Sequence, residues 1–274
     1  MRLSRRDLLK GAAGAAIGAA TGALAYGFQY ERHHVLLTHE TLEVSGFPDA
    51  LAGLRIGFLS DLHCSPTVPP ALIDDAVRLV MADRPDLIVL GGDYVTWGDR
   101  RYIGPVVEAL APLSAPHGIF AVLGNHDDDR DLPAAMSSRH IVVLRDARTR
   151  VQIKGETLDI AGIRFWTRKA SDIAYVLRHA SRNVMLLAHT PMRLHEAVAL
   201  AVPLVLSGHT HGGQIVLPGA GALAAREFPI IAGTGRREGT TIFVTRGVGT
   251  VYVPVRLNCP PEVAILTLKP RPIE

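Results

Sequence analysis

Apolar and polar positions alternate along most of the chain, and the period of the alternation changes from segment to segment. Leu54–Ser60 (LRIGFLS) is a short apolar run closed by a polar residue, the pattern of a buried strand. In Pro70–Asp83, Ile73, Val77 and Val80 fall on one face at helical spacing. Asp86–Gly91 and Gly118–Leu123 repeat the strand pattern, and Val106–Leu113 between them predicts a helix. Ile141–Leu144 predicts another strand. Thr149–Ile153 and Thr157–Ile163 alternate on either side of Gly155 and predict a hairpin. Asp172–His179 predicts a helix. Val184–Ala188, Leu204–Ser207, Thr241–Thr245 and Glu262–Leu268 predict strands. Strands alternate with helices in the first half, and hairpin-like strands dominate the second. The expected class is therefore α/β with mixed sheets in one domain. Pro218–Gly239, rich in Gly and Pro, reads as a loop.

The N-terminus has a different pattern. Arg2, Arg5, Arg6 and Lys10 precede an uncharged Ala/Gly-rich run from Gly11 to Tyr30. This is the order of an export signal, and Ala23-Leu24-Ala25 offers a cleavage site. Ser4-Arg5-Arg6-Asp7-Leu8-Leu9-Lys10 resembles a twin-arginine signal, which a receptor reads. The run is also near the ~20 residues that span a bilayer. Residues 1–30 are thus a signal peptide or an N-terminal anchor, with the choice open. The expected location is periplasmic or on the outer side of the inner membrane.

Composition matters once it is placed along the chain. The whole chain carries a formal charge of +3. All of that excess lies in residues 1–25, and the rest is neutral. Nucleic-acid binding by the body is therefore not expected. Two cysteines exclude a disulfide scaffold and a Cys-based zinc module. Cys64 and Cys259 read as plain thiols, with a disulfide between them as the alternative.

The polar residues that interrupt the strands carry the chemistry. Ser60-Asp61-Leu62-His63, Gly91-Gly92-Asp93, Gly124-Asn125-His126-Asp127, Ala188-His189-Thr190 and Gly208-His209-Thr210-His211 each follow a predicted strand. Ligands bind beyond the carboxyl ends of strands in open α/β sheets. Asp, His and Asn offer oxygen and nitrogen donors, which suit Mn, Zn, Fe or similar ions. Their number exceeds the four ligands of one zinc site, which points to two metals. His33, His34, His39, His117, His140, His179 and His195 lie outside the blocks and read as ordinary core or surface side chains. Gly219 and Gly221 imitate a dinucleotide fingerprint, but Pro229, Gly233 and Gly235 break the required helix and strand. Arg226, Arg236 and Arg237 in that stretch are either substrate contacts or solvated charge.

The five blocks, in this order, resemble the calcineurin-like metallophosphoesterase superfamily. The tail with GHTHGGQ, TRGVGT and VRLNCPPEV is similar to a branch of bacterial exported or membrane-associated phosphoesterases. The resemblance implies a four-layer α/β/β/α sandwich of two mixed sheets over residues 31–274. It implies a dinuclear metal site at strand C-terminal ends. Asp61, His63 and His211 would hold one divalent ion, Asp93 would bridge, and Asn125, His189 and His209 would complete the second. His126 would face the phosphate and assist the leaving group, after in-line attack by a metal-bridging hydroxide. The implied substrate is a phosphoester small molecule or a lipid-linked phosphate, and the expected reaction is phosphodiester hydrolysis. The alternatives are a non-catalytic metal-bound scaffold, a single-metal enzyme, or a pyrophosphate hydrolase acting on a nucleotide-linked lipid precursor. One position departs from the family pattern. Thr96 stands where many members place an Asp that orients the catalytic histidine, leaving Asp127 and Asp99 as the side chains to consider for His126.

Overall fold

The computed structural model describes residues 5–272. Met1–Ser4 of the predicted signal and the final two residues lie outside them. In chain order the elements begin with helix α1 (Arg5–Gln29) and strands β1 (Leu36–Ser45) and β2 (Arg55–Leu59). Helix α2 (Pro70–Ala82), β3 (Leu87–Leu90), α3 (Ile103–Leu110), β4 (Ile119–Ala121), α4 (Asp131–Ser137) and β5 (Ile141–Val143) follow. Next come β6 (Ala147–Ile153), β7 (Glu156–Ile163), α5 (Ala170–Val176), β8 (Val184–Ala188), α6 (Leu194–Ala199) and β9 (Leu204–Ser207). The chain closes with β10 (Val216–Leu217), β11 (Gly221–Ala222), β12 (Gly233–Arg237), β13 (Thr240–Val244) and β14 (Glu262–Arg271).

Two six-stranded mixed sheets face each other. One runs β1-β14-β2-β3-β4-β5 and the other β12-β13-β9-β8-β7-β6. Between them lies an apolar core that includes Phe58 and Phe243, whose rings meet edge to face at 6.1 Å. A second core packs α2, α3 and α4 on the first sheet, and a third packs α5 and α6 on the other. This is the expected α/β/β/α sandwich. The amino acids account for the layers directly. β3 (LIVL) is covered on both faces and is a continuous apolar run, as buried parallel strands require. α2 buries Leu72, Ile73, Ala76, Val77 and Val80 along one stripe and takes Pro70 in its first turn.

The structure corrects the reading of the second half. β6 and β7 form the predicted antiparallel hairpin, with Val151 opposite Leu158. Beyond it, however, β7, β8, β9 and β13 are mutually parallel, and α5 and α6 make the crossovers after β7 and β8. Helix–strand alternation therefore continues. The 218–239 stretch is not all loop, because β12 pairs antiparallel with β13 at its end. Cys64 and Cys259 are both buried free thiols, so the alternative of a disulfide is set aside.

The N-terminal apolar segment is helical as α1. Together with the turn that follows, it is long and apolar enough to cross a membrane, from Leu8 to His33. The body grips its C-terminal end. Arg256 donates its backbone N–H to the Gly27 carbonyl at 3.2 Å. A Cβ on Gly27 would stand 2.4 Å from the Arg256 carbonyl oxygen, so only glycine permits this approach. Buried Glu31 accepts the backbone N–H groups of Asn258 and Cys259.

Candidate metal centre

The strand exits of both sheets meet at one place. The 60–64 loop leaves β2 and the 91–96 loop leaves β3, and their backbones keep pairing beyond the strands. Asp61 N–H donates to Gly92 O at 2.8 Å and His63 N–H to Asp93 O at 2.9 Å. Two contacts sew the sheets together. His189, beyond β8, donates from Nδ1 to Gly91 O at 2.8 Å. His209, beyond β9, donates its backbone N–H to Asp61 Oδ1 at 3.0 Å. Asp127 secures a third loop by accepting N–H bonds from Asp93, Tyr94 and Gly124 at 2.7–2.8 Å.

The backbone here is bent away from its easy conformations. Asp61, His63, Asp93, His209 and His211 all have left-handed φ, between 48° and 71°. Such conformations cost of order 1–3 kcal/mol each and cluster at functional sites. Glycines make room for the carboxylates. A Cβ on Gly124 would lie 2.0 Å from Asp93 Oδ1, and one on Gly208 would lie 2.2 Å from Asp61 Oδ2.

Two ligand clusters result. Asp61, His63 and His211 present donor atoms within 4.8 Å of one another, and so do Asp93, His189 and His209. His63 Nε2 is 3.1 Å from His211 Nε2 and 3.5 Å from Asp93 Oδ2. Asp93 Oδ2 also lies 3.2 Å from His189 Nε2, so this carboxylate touches both clusters.

The donor chemistry fits divalent cations. His189 spends its Nδ1–H on Gly91 O, which leaves the buried Nε2 as the ring atom that faces the Asp93 carboxylate. Asn125 Oδ1 is a buried acceptor left unsatisfied. Acceptors facing each other at about 3 Å match two ligands of one ion held at about 2.1 Å. The second histidine is set up in the same way. Thr96 Oγ1 donates to the His63 carbonyl at 3.2 Å and lies 3.3 Å from His63 Nδ1. A proton on Nδ1 directed at that hydroxyl leaves Nε2 free to ligate.

Charge follows burial. Burial holds His63 down to about 4 and His209 down to about 3, keeping both imidazoles in the neutral, ligating form. Burial raises Asp61 to about 6, and the neighbouring Asp93 adds to the rise. Burial opposes charge on His189, but Asp93 and Asp61 outweigh it and lift the group to about 10. The carboxylates thus draw positive charge to its Nε2, the atom that faces them.

His126 stands beside the clusters, its ring centroid 5.0 Å from that of His63. Neither carboxylate considered for it touches its ring. Asp127 is occupied by four backbone N–H groups, those of Asp93, Tyr94, Val95 and Gly124, and Asp99 caps the turn at 100–102 and pairs with Arg101. Instead the backbone N–H of Trp97 donates to His126 Nδ1 at 3.2 Å. That bond makes Nδ1 an acceptor and places the proton of the neutral ring on Nε2.

The structure adds a rim that sequence reasoning did not find. Phe228 packs edge-on against His209 at 5.4 Å, and Phe165 packs against His209 and His189. Trp97 and Tyr252 form an exposed edge-to-face pair at 5.4 Å, with the Trp97 ring 4.4 Å from His126. Two of the arginines in the 218–239 stretch have partners in the body. Arg236 bonds Glu43 at the far end of β13, and Arg226 bonds the Ala220 carbonyl.

A two-sheet sandwich with paired His/Asp clusters at its strand exits is the scaffold of a metallophosphoesterase. The sequence profile of the calcineurin-like phosphoesterases matches residues 54–213, and the chain belongs to that family. Among its relatives, Phosphodiesterase YaeI of Escherichia coli is 33% identical, over 97% of this chain and 99% of that one. The metallophosphoesterase YkuE of Bacillus subtilis is 31% identical over 98% of each chain. A transmembrane protein with a metallophosphoesterase domain from Bos taurus is 28% identical, over 86% of this chain and 57% of its own length.

Proposed function

We propose that this protein is a metal-dependent phosphodiesterase that works outside the cytoplasm, held to the membrane by α1. The observation that carries the metal dependence is Asp93. Its carboxylate lies within 3.5 Å of nitrogens from both clusters, His63 Nε2 and His189 Nε2. Asp61, His63 and His211 would hold one ion, and Asn125, His189 and His209 the other, with Asp93 shared. When bound, such ions supply Lewis-acid stabilisation of phosphoryl oxygens and lower the pKa of water to near neutral.

The chain's own residues complete the site. His126 offers an Nε2–H to the oxygen that leaves phosphorus, and the Trp97 N–H keeps the ring in that tautomer. Asp127 fixes the 91–96 and 124–127 loops to each other, so the bridging carboxylate and the proton donor keep their spacing. Diester rather than monoester chemistry is favoured by the likeness to Phosphodiesterase YaeI along almost the full length of both chains.

The paired Arg5-Arg6 ahead of an apolar helix supports the twin-arginine route, which would carry residues 31–274 out already folded. A helix docked through Gly27 and Glu31 supports retention as an anchor. The test is turnover of bis(p-nitrophenyl) phosphate by the full chain loaded in turn with Mn, Zn, Fe and Co. Absence of turnover with all four would overturn the enzymatic reading.

A further inference from the structure

Beside the clusters runs a groove of about 460 Å³. His209 and His211 form its inner end, and its length is lined by Ile215, Leu217, Val251 and Val253. Leu217 is 38% exposed, Val253 47% and Tyr252 80%, so these side chains stand open to the surroundings. Exposed apolar side chains contiguous with a ligand site mark an interaction surface.

The same two segments hold the helix. Gln214 ties the 214–217 wall to the 251–253 wall, accepting from Val251 N–H and donating to the carbonyls of Val251 and Val253. Val216 N–H donates to Leu257 O and Leu257 N–H to Gln214 O. The next residues, Arg256, Asn258 and Cys259, are those that grip Gly27 and Glu31. An unbroken run of hydrogen bonds therefore connects the end of α1 to the groove. Tyr26, Phe28 and Tyr30 are exposed around that end, the side-chain types that settle at a membrane–water boundary.

We infer that the groove takes the hydrocarbon part of an amphiphilic phosphodiester drawn from the bilayer, while its phosphate meets the His/Asp clusters. The inference rests on the phosphodiesterase reading and names its substrate class. In the reaction one P–O bond breaks, the oxygen of water joins phosphorus, and the proton of that water ends on the departing alcohol. Fixed docking of α1 sets the mouth of the groove at the level of the interface.

The experiment uses the full chain, metal-loaded, in lipid nanodiscs. Its probes are p-nitrophenyl alkyl phosphates with ethyl, butyl and octyl chains, which share one leaving group. The expected result is a rise in kcat/KM of ~tenfold or more from ethyl to octyl, since each buried methylene adds to binding. L217D and V253D should cut that octyl-to-ethyl ratio to about threefold or less. Because the ratio is read within each variant, a partial loss of folded protein does not alter it. A flat chain-length series in the wild type overturns the inference and leaves the phosphodiesterase reading intact. So does a rise that persists in both variants, which assigns the gain to partition into the bilayer. Failure to hydrolyse any member overturns both readings.

Discussion

The loops that follow β2, β3, β4, β8 and β9 bury most of their candidate site side chains, whereas Leu217, Tyr252 and Val253 on the groove wall stand open. Asp61 and His63 have no exposed surface, and their backbones sit in costly conformations held by many hydrogen bonds. Leu217, Tyr252 and Val253 make few demands on the fold and meet solvent. The first wall has to fix charges to within a fraction of an ångström, and burial with strained backbone does that. The second has only to present apolar area, which tolerates variation. Change on the first wall should therefore be punished in chemistry, and change on the second in selectivity.

The most severe test is D93N. It removes the carboxylate charge that both clusters share, and turnover should fall on the order of 10³-fold or more. Elemental analysis should show metal lost together with activity. Full metal content in this variant would detach Asp93 from the centre. H126A should lower turnover by about 10²–10⁴-fold, the usual contribution of general acid catalysis. Its metal content should match the wild type, which separates a proton donor from a ligand.

Acid provides a graded test of the same wall. A ligand must lose its proton before it binds a cation, so lowering pH favours release. Asp61, raised to about 6, regains its proton before His63, held down to about 4, and His209, held down to about 3. Bound metal measured by equilibrium dialysis should decline between about pH 6 and pH 4, and retention of both ions at pH 4 would contradict the assignment. The mildest change is Y252N on the second wall, where Asn tolerates the left-handed φ of 61°. Thermal unfolding should shift by no more than about 0.5 kcal/mol, as for other exposed positions. KM for bis(p-nitrophenyl) phosphate should change more than kcat. An unfolded Y252N would erase the contrast between the walls.

The same contrast explains what the sequence made legible. Candidate ligands at strand exits come in contiguous polar blocks after apolar runs, so Asp61, His63, Asp93, Asn125, His189, His209 and His211 stood out as a set. His126 was found in the same way. Its positioning partner was not, because the donor is the main-chain N–H of Trp97, which no side-chain pattern reveals. Phe228, Tyr252 and Ile215 escaped notice because isolated apolar residues in loops look like any others. Among the strands, β1 and β12 were missed for one physical reason. Both lie at sheet edges, where backbone pairing suffices and few side chains are buried: only Leu42 and Val44 in β1, and none in β12. Omission of the short α6 removed the alternation signal, so a parallel sheet read as hairpins.

The place of β14 in its sheet has a consequence for how the molecule is made. That strand lies between β1 and β2 and pairs with both, parallel to one and antiparallel to the other. Lys269 reaches Glu43 at 2.8 Å across a sequence separation of 226 residues. Pairing at such separation carries a large loop-closure entropy and is slow. Without β14 the sheet has a gap one strand wide between β1 and β2. The sheet that holds β1 and β2 is therefore complete only once the last strand of the chain is in place. Shortening the chain by even the residues of β14 would remove an interior strand rather than trim an edge.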